Sequence, residues 1–303
     1  MAEPQSLQRW GVQYQDRVVT GANGQLGTEM LRLALPEGWT IQGFTRAEAD
    51  IRDPAAIQRL VEGADLLVNA AAYTAVDKAE EEPDIAYQIN AEAPGLLAAA
   101  CRQAGIPLIH VSTDYVFDGS KAGAYAETDP VAPLGVYGAS KELGERAVRK
   151  ELDRHIILRT SWVYAAQGRN FVNTMLRLGA ERDALRVVAD QHGAPTAAGD
   201  IAAAILAISE KLLAGSSAYG TYHYTAEGVT SWHGFAEAIF DLAQPALGKR
   251  PTVEAIPTSA YPTPAQRPAN SVLDSTKVMA VFAPTRRPWR TALEEVLREI
   301  LAP

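Results

Sequence analysis

The chain has 303 residues, 47% hydrophobic and 21% charged, a balance that belongs to an ordered globular protein and excludes intrinsic disorder. Its net charge of −8 and its lack of any Lys/Arg cluster exclude a nucleic-acid binder, which needs basic side chains to neutralise phosphates. A single cysteine, Cys101, excludes an internal disulfide and a cysteine-based metal site, and no apolar run approaches the roughly 20 residues of a membrane span.

Residues 1–16 are polar, include Trp10 and Tyr14, and lack the apolar core of a signal peptide, so they read as a short extension on a cytoplasmic protein. From Arg17 to about Arg182 short apolar runs alternate with helical stretches, the sequence form of repeated βαβ units. Strands are expected at Arg17 to Thr20, Trp39 to Phe44, Leu66 to Asn69, Leu108 to Ser112 and Ile156 to Thr160. Each is apolar on both faces, as buried parallel strands are. Asp84 to Ala104 and Val136 to Leu152 carry amphipathic helical spacing, and Leu185 to Val188 offers a sixth strand. Beyond it come a helix at Ala198 to Leu213, a strand at Tyr219 to Tyr224, a helix at Ser231 to Ala243 and a strand at Thr252 to Ile256. Four prolines make Pro257 to Asn270 a stiff irregular loop, and a helix from Trp289 to Leu301 closes the chain. The pattern predicts an α/β fold. Residues 17–182 form mainly a Rossmann-type, doubly wound parallel sheet, and residues 183–303 mainly a smaller substrate-binding region that returns some elements to that sheet.

The turn Gly21-Ala22-Asn23-Gly24-Gln25-Leu26-Gly27 follows the first strand and opens a helix, the context a dinucleotide fingerprint requires. Gly21 suits the tight turn, Gly24 lets backbone approach a pyrophosphate, and Gly27 permits close helix-to-strand packing, with the helix N-terminus facing the phosphates. At the end of the second strand, where an acidic residue would select NAD, stands Arg46, suited to a 2′-phosphate. This favours NADPH and leaves NADH open; a solvated surface arginine is the plainer alternative. Asp50 and Ile51 are placed for the adenine, and Asp53 for capping the next helix. Ala71, Ala72 and Tyr73 follow the third strand, where small side chains let the cofactor lie close to backbone.

Tyr137-Gly138-Ala139-Ser140-Lys141 sets a phenol and an ammonium four residues apart, hence on one helix face. A ketone that accepts hydride builds negative charge on its oxygen and needs a positioned acid. Tyrosine serves if a neighbouring cation lowers its pKa, and Lys141 also suits the nicotinamide ribose. At the carboxyl end of the fourth strand, Thr113 is placed to hydrogen-bond the substrate oxygen beside Tyr137. Turn and cap bonding is the plainer role for that hydroxyl.

In these segments the chain resembles the extended short-chain dehydrogenase/reductases, and it does so over nearly its whole length, from about Arg17 onward. Beyond the glycine turn and the Tyr137–Lys141 pair, the matching segments are Ala70 to Glu80, Ser112 to Phe117, Arg159 to Tyr164, Asp190 to Thr196 and Arg267 to Ser271. Within that family the resemblance implies NADPH-dependent reduction of the 4-keto group of a dTDP-linked 6-deoxysugar, dTDP-6-deoxy-L-lyxo-4-hexulose, to dTDP-L-rhamnose. It makes Tyr137 the proton donor, Lys141 its tuner and ribose ligand, and Thr113 the third member. Val76, Asp114, Tyr115 and Trp162 match sugar contacts, while Asn170, Arg267 and Asn270 are assigned to the nucleotide half.

One departure concerns metal. Some members are expected to hold Mg2+ through three glutamates at a dimer interface; Glu29 matches the first, but Gly199 and Arg290 stand at the others. Arg290 supplies no oxygen ligand, so no structural metal is expected, and both monomer and homodimer stay open. Two rivals remain. A cofactor-retaining epimerase or dehydratase of the same fold is disfavoured by Thr113-Asp114-Tyr115, because a dehydratase carries Asp-Glu after the threonine. A non-catalytic regulatory subunit is disfavoured by the intact Thr113, Tyr137 and Lys141.

Overall fold

The computed structural model describes residues 15–302. The expected N-terminal extension therefore lies outside the described residues, except Gln15 and Asp16, which open the first strand. In chain order the first half runs β1 (Gln15–Thr20), α1 (Gln25–Leu31), β2 (Trp39–Phe44), α2 (Pro54–Val61), β3 (Leu66–Asn69), α3 (Val76–Ala79), α4 (Pro83–Tyr87), α5 (Ala93–Ala104), β4 (Leu108–Thr113), α6 (Val136–Glu151) and β5 (His155–Thr160). Asp53 caps α2 as expected, its carboxylate accepting from the Ala55 N–H at 3.0 Å. The expected single helix from Asp84 is interrupted by a π turn at Gln88–Glu92. Pro94 has no N–H to offer the Asn90 carbonyl, so the turn widens there. Gly144 of α6 fits against that same carbonyl, which a Cβ would approach to 2.0 Å.

The second half continues with β6 (Val163–Tyr164), α7 (Phe171–Glu181), β7 (Ala184–Val188), β8 (His192–Gly193), β9 (Thr196–Ala197), α8 (Ala198–Leu213), β10 (Gly220–His223), β11 (Thr230–Ser231), α9 (Trp232–Leu247), β12 (Thr252–Ile256), α10 (Thr276–Phe282) and α11 (Trp289–Ile300). The central sheet has six parallel strands in the order β10-β5-β4-β3-β1-β2. The direction of strand addition reverses between β1 and β3, and ligands bind outside the carboxyl ends at such a switch point.

The sixth strand differs from the expectation. Gly220–His223 takes the place beside β5, whereas Ala184–Val188 pairs in parallel with Thr252–Ile256 in a separate two-stranded sheet. Burial accounts for the difference: Tyr222 and His223 are enclosed, while Ala184 and Arg186 are exposed, so β7 has one wet face unsuited to a central sheet. One sheet face is covered by α2, α5 and α6 through Ile57, Leu60, Leu97, Cys101 and Val148. The other is covered by α1, α8 and α10 through Met30, Ile205, Ile208 and Phe282. A third core joins α7, α9 and α11 to the small β7–β12 sheet. Among the described residues no helix is long and apolar enough to cross a membrane.

Candidate active site

At the switch point the turn after β1 meets the chain leaving β3. Gly21 has φ +72°, and a Cβ there would lie 2.8 Å from Ala71 backbone, so only glycine fits both the dihedral and the approach. A Cβ on Gly27 would meet the Gly21 carbonyl oxygen at 2.2 Å, which is why α1 can start directly against the turn. Beneath it a polar chain crosses three strands: Thr20 donates to Asn69 at 2.7 Å, and Asn69 Nδ2 contacts His110 Nδ1 at 3.0 Å. Asn69 Oδ1 also accepts from the Ala71 N–H, fixing the β3 exit. Burial holds the His110 pKa well below its ordinary value, so the ring is neutral, a core residue as its strand position suggests.

A groove of about 620 Å³ runs over this junction, and Gly21, Asn23, Gly24, Arg46, Asp50, Ile51, Ala71 and Ala72 line it. Eight of the expected cofactor positions are thus brought together. Gln25 and Leu26 line the adjoining cleft instead, and Gly27 acts through packing. Tyr73 is used structurally, its hydroxyl bonded to Glu82 at 2.8 Å and its backbone tied to Asn90 in both directions. Arg46 is largely exposed and stands 3.5 Å from Asp50, which Arg52 also grips at 2.6 Å. The Arg52 hydrogen bonds hold the Asp50 carboxyl well below the carboxylate range. The bare main chain, the helix N-terminus and one exposed guanidinium are the donor set a dinucleotide phosphate backbone requires.

The groove opens into a cleft of about 1300 Å³ at the carboxyl ends of β4 and β5, where Thr113, Tyr137 and Lys141 meet. Why α6 begins at this spot is local chemistry. Gly135 offers no side-chain cap, and Glu80, at the C-cap of α3, accepts the Val136 N–H at 2.8 Å in its stead. Gly138 lets the first turn press on the Tyr115 carbonyl, which a Cβ would reach at 2.2 Å. Further along α6, buried Glu145 accepts from Ser112 at 2.6 Å and from Arg159 at 2.8 and 2.6 Å. Burial would raise the Glu145 pKa, but those bonds and cations outweigh it and lower it. The helix bearing Tyr137 and Lys141 is so braced against the strand bearing Thr113.

The electrostatics differ from the expectation in one respect. Lys141 donates to the Val111 carbonyl at 2.7 Å, and burial lowers its pKa to about 8 against the opposing charge of Glu145. Tyr137 is not lowered. Enclosure pushes its phenol up to about 12, with the Thr113 hydrogen bond opposing and Asp114 adding to the rise. The ammonium spends its bond on backbone, so the phenol feels desolvation first. Burial raises Asp114 to about 6 against the opposing hydroxyls of Ser271 and Thr113, the latter donating to one carboxylate oxygen at 3.0 Å.

Of the expected substrate contacts, Val76, Asp114, Tyr115 and Trp162 all line the cleft. Arg267 does not line the cleft; it is bound bidentately to Asp77 at 2.8 and 2.9 Å, joining α3 to the proline-rich loop beside Val76. The two asparagines assigned to the nucleotide half carry bonds of their own. Asn170 caps α7 by accepting from the Asn173 N–H and donates to Gln25, which lines the cleft, at 2.9 Å. Asn270 donates to the Lys121 and Gly123 carbonyls and pins a loop, leaving no free amide for a nucleotide. Trp232 and Arg169 also line the cleft and were missed. Trp232 lies at the start of a helix in the distant C-terminal segment, where its amphipathic pattern reads as core. Glu29 pairs with Arg32 at 3.1 Å, and Arg290 lies 3.9 Å from Asp241. Among the described residues no three His, Cys, Asp or Glu side chains group as a metal site.

A parallel six-stranded sheet with a glycine turn at its switch point, and a Thr, Tyr and Lys converging on one cleft, defines an extended short-chain dehydrogenase/reductase. A family profile described as the RmlD substrate binding domain matches residues 16–302. The chain is 46% identical over 295 residues to dTDP-4-dehydrorhamnose reductase of Burkholderia thailandensis, covering 94% of this chain and 99% of that one. A crystal structure of a dTDP-4-dehydrorhamnose reductase from Clostridium acetobutylicum superposes with a TM-score of 0.88 at 36% identity, over 94% of this chain and 99% of the other. That of the Bacillus anthracis reductase in complex with NADP gives 0.86 at 37%, with the same coverage. The chain belongs to the dTDP-4-dehydrorhamnose reductase family.

Proposed function

We propose that this chain is an NADPH-dependent reductase that converts the 4-keto group of dTDP-6-deoxy-L-lyxo-4-hexulose (dTDP-4-dehydro-L-rhamnose) to the hydroxyl of dTDP-L-rhamnose. The observation that carries the reading is the cleft in which Thr113, Tyr137 and Lys141 meet, continuous with the groove over Gly21 and Ala71. In that groove the main chain at Gly21 to Gly24 holds the pyrophosphate, Arg46 the 2′-phosphate, and Asp50 and Ile51 the adenosine. Bound NADPH supplies the hydride.

Tyr137 gives its hydroxyl proton to the C4 oxygen. A phenol at about 12 does not obstruct this, because hydride addition to C4 leaves the C4 oxygen as an alkoxide, a stronger base than phenolate. Thr113, its hydroxyl proton turned from Asp114 to the same oxygen, steers that oxygen toward the phenol. Lys141 holds the ribose and stabilises the phenolate left after transfer. Val76, Asp114, Tyr115 and Trp162 surround the sugar, and Arg267, released from Asp77, turns to the diphosphate, whose bidentate geometry its fork matches. We place the protein in the cytoplasm, as a monomer or homodimer.

The test is turnover with NADPH and with NADH against a panel of nucleotide-linked 4-keto-sugars, with the C4 configuration of each product analysed. Preferential consumption of NADPH with the dTDP-linked 6-deoxysugar, and a single L-rhamno product, is expected. A sugar product formed with no net oxidation of cofactor would establish an epimerase instead. No turnover with any dTDP-4-keto-6-deoxysugar would overturn the reading.

A further inference from the structure

Trp162 has φ +50°, and with Ala283 it is one of two non-glycine residues among those described with positive φ. A bulky side chain adopts that conformation only when its surroundings impose it, and such outliers gather at ligand sites. The surroundings are visible. The Trp162 indole lies flat on Trp232, ring centres 3.6 Å apart and planes within 9°. On its edge a Cβ at residue 193 would meet indole Cε2 at 2.6 Å, so glycine is needed there. The two gripping elements are themselves in register, because β8 pairs with β11 through Gly193 opposite Thr230, two residues before Trp232. Trp232 is in turn backed by Phe171 at 4.7 Å, Phe171 stacks on Phe235 at 5.4 Å, and Phe235 meets Trp289 edge-on at 5.8 Å. The row runs from the cleft into the core of the C-terminal region.

We infer that Trp232 is a positioning residue: stacked on Trp162, it sets that indole as a rigid apolar wall of the cleft that also holds Tyr137 and Thr113, against which the deoxysugar ring packs. This rests on the reading of the cleft as a sugar site. Recognition of the sugar is then transmitted from the C-terminal core through one aromatic pair, while the cofactor groove is untouched by it. The wall acts on binding of the sugar and not on proton delivery, so its loss belongs in KM rather than kcat.

Two stacked indoles couple their transitions, which gives paired bands of opposite sign in the far-ultraviolet circular dichroism. Trp162→Phe and Trp232→Phe, compared with wild type, are expected to abolish the same pair of bands. Trp232→Ala is expected to raise KM for the dTDP-keto-sugar about tenfold, with KM for NADPH unchanged and kcat altered by less than about twofold. Trp232→Phe, which keeps an aromatic plate, should recover most of that loss. If Trp232→Ala fails to fold, Gly193→Ala, which displaces the indole from its other side, is expected to raise the sugar KM with Trp232 intact. An unchanged sugar KM in the folded variants, an equal rise in both KM values, or absence of the paired bands in wild type would overturn the inference. Failure of the broader reading looks different: wild type itself would not oxidise NADPH with the keto-sugar, whatever the dichroism shows.

Discussion

The two ligand regions of this molecule recognise by opposite means. Along the cofactor groove the working surface is main chain and small side chains: Gly21, Gly24, Ala71 and Ala72, with one charged tip at Arg46. Along the substrate cleft it is large side chains, Tyr115, Trp162 and Trp232, with Arg267 beside Val76, held by partners from distant segments. The first is set by the sheet's topology, and at Gly21 it leaves no room for a side chain. The second is built from side chains that can be exchanged without disturbing the sheet. On a shared fold, the difference teaches that a groove set by main chain at the switch point and a cleft set by side chains from distant segments can vary independently.

Substitutions break this contrast in different currencies. Gly27→Val is the harshest: its Cβ has no room beside the Gly21 carbonyl, and overpacking of about 1–3 kcal/mol falls on the turn itself. NADPH affinity, read by fluorescence titration, is expected to drop by about 10- to 100-fold with no preference for one sugar over another. Arg267→Ala sharpens the substrate side: a lost charge-assisted pair to the diphosphate predicts a sugar KM about tenfold higher and an unchanged NADPH KM. Equal loss of both would place Arg267 in general structure.

Asp114 gives a pH-dependent test of the same region. Its buried carboxyl sits at about 6 when folded against 3.8 ordinarily. Folding is therefore opposed above pH 6, where the group must carry buried charge, and hardly affected below 3.8, where it is neutral folded or unfolded. Asp114→Asn is expected to raise Tm at about pH 8 by roughly 5 °C, the counterpart of about 2–3 kcal/mol, and to leave it nearly unchanged at about pH 4. A gain of the same size at both values would show that charge is not the cause.

The same contrast governs what the amino-acid order discloses. The glycine turn, Ala71–Ala72 and the Tyr137–Lys141 pair are contiguous, and the strand-turn-helix pattern around them dictates their placement, so they are legible. Asn170 and Asn270 are less legible, because an amide offers no local sign of whether it faces a ligand or caps a helix; both bond backbone partners. Trp232 was invisible because the cleft joins residues 76, 115, 162 and 232 only in three dimensions. β10 displaced β7 from the central sheet for a similar reason: short apolar runs carry no record of their neighbour, and β7 found its partner in β12 about seventy residues later. The upward shift of Tyr137 likewise depends on burial and on the bond Lys141 makes to Val111, neither of which spacing reveals.

The central claim is that the cleft delivers a proton from Tyr137 to a ketone reduced over the glycine groove, and Tyr137→Phe addresses it most directly. Removing one hydroxyl leaves the ring, its edge contact with Tyr115 and the groove in place. The account predicts that NADPH still binds with wild-type affinity while kcat for the dTDP-linked keto-sugar falls by about 10²- to 10⁴-fold. Turnover within about twofold of wild type would contradict it.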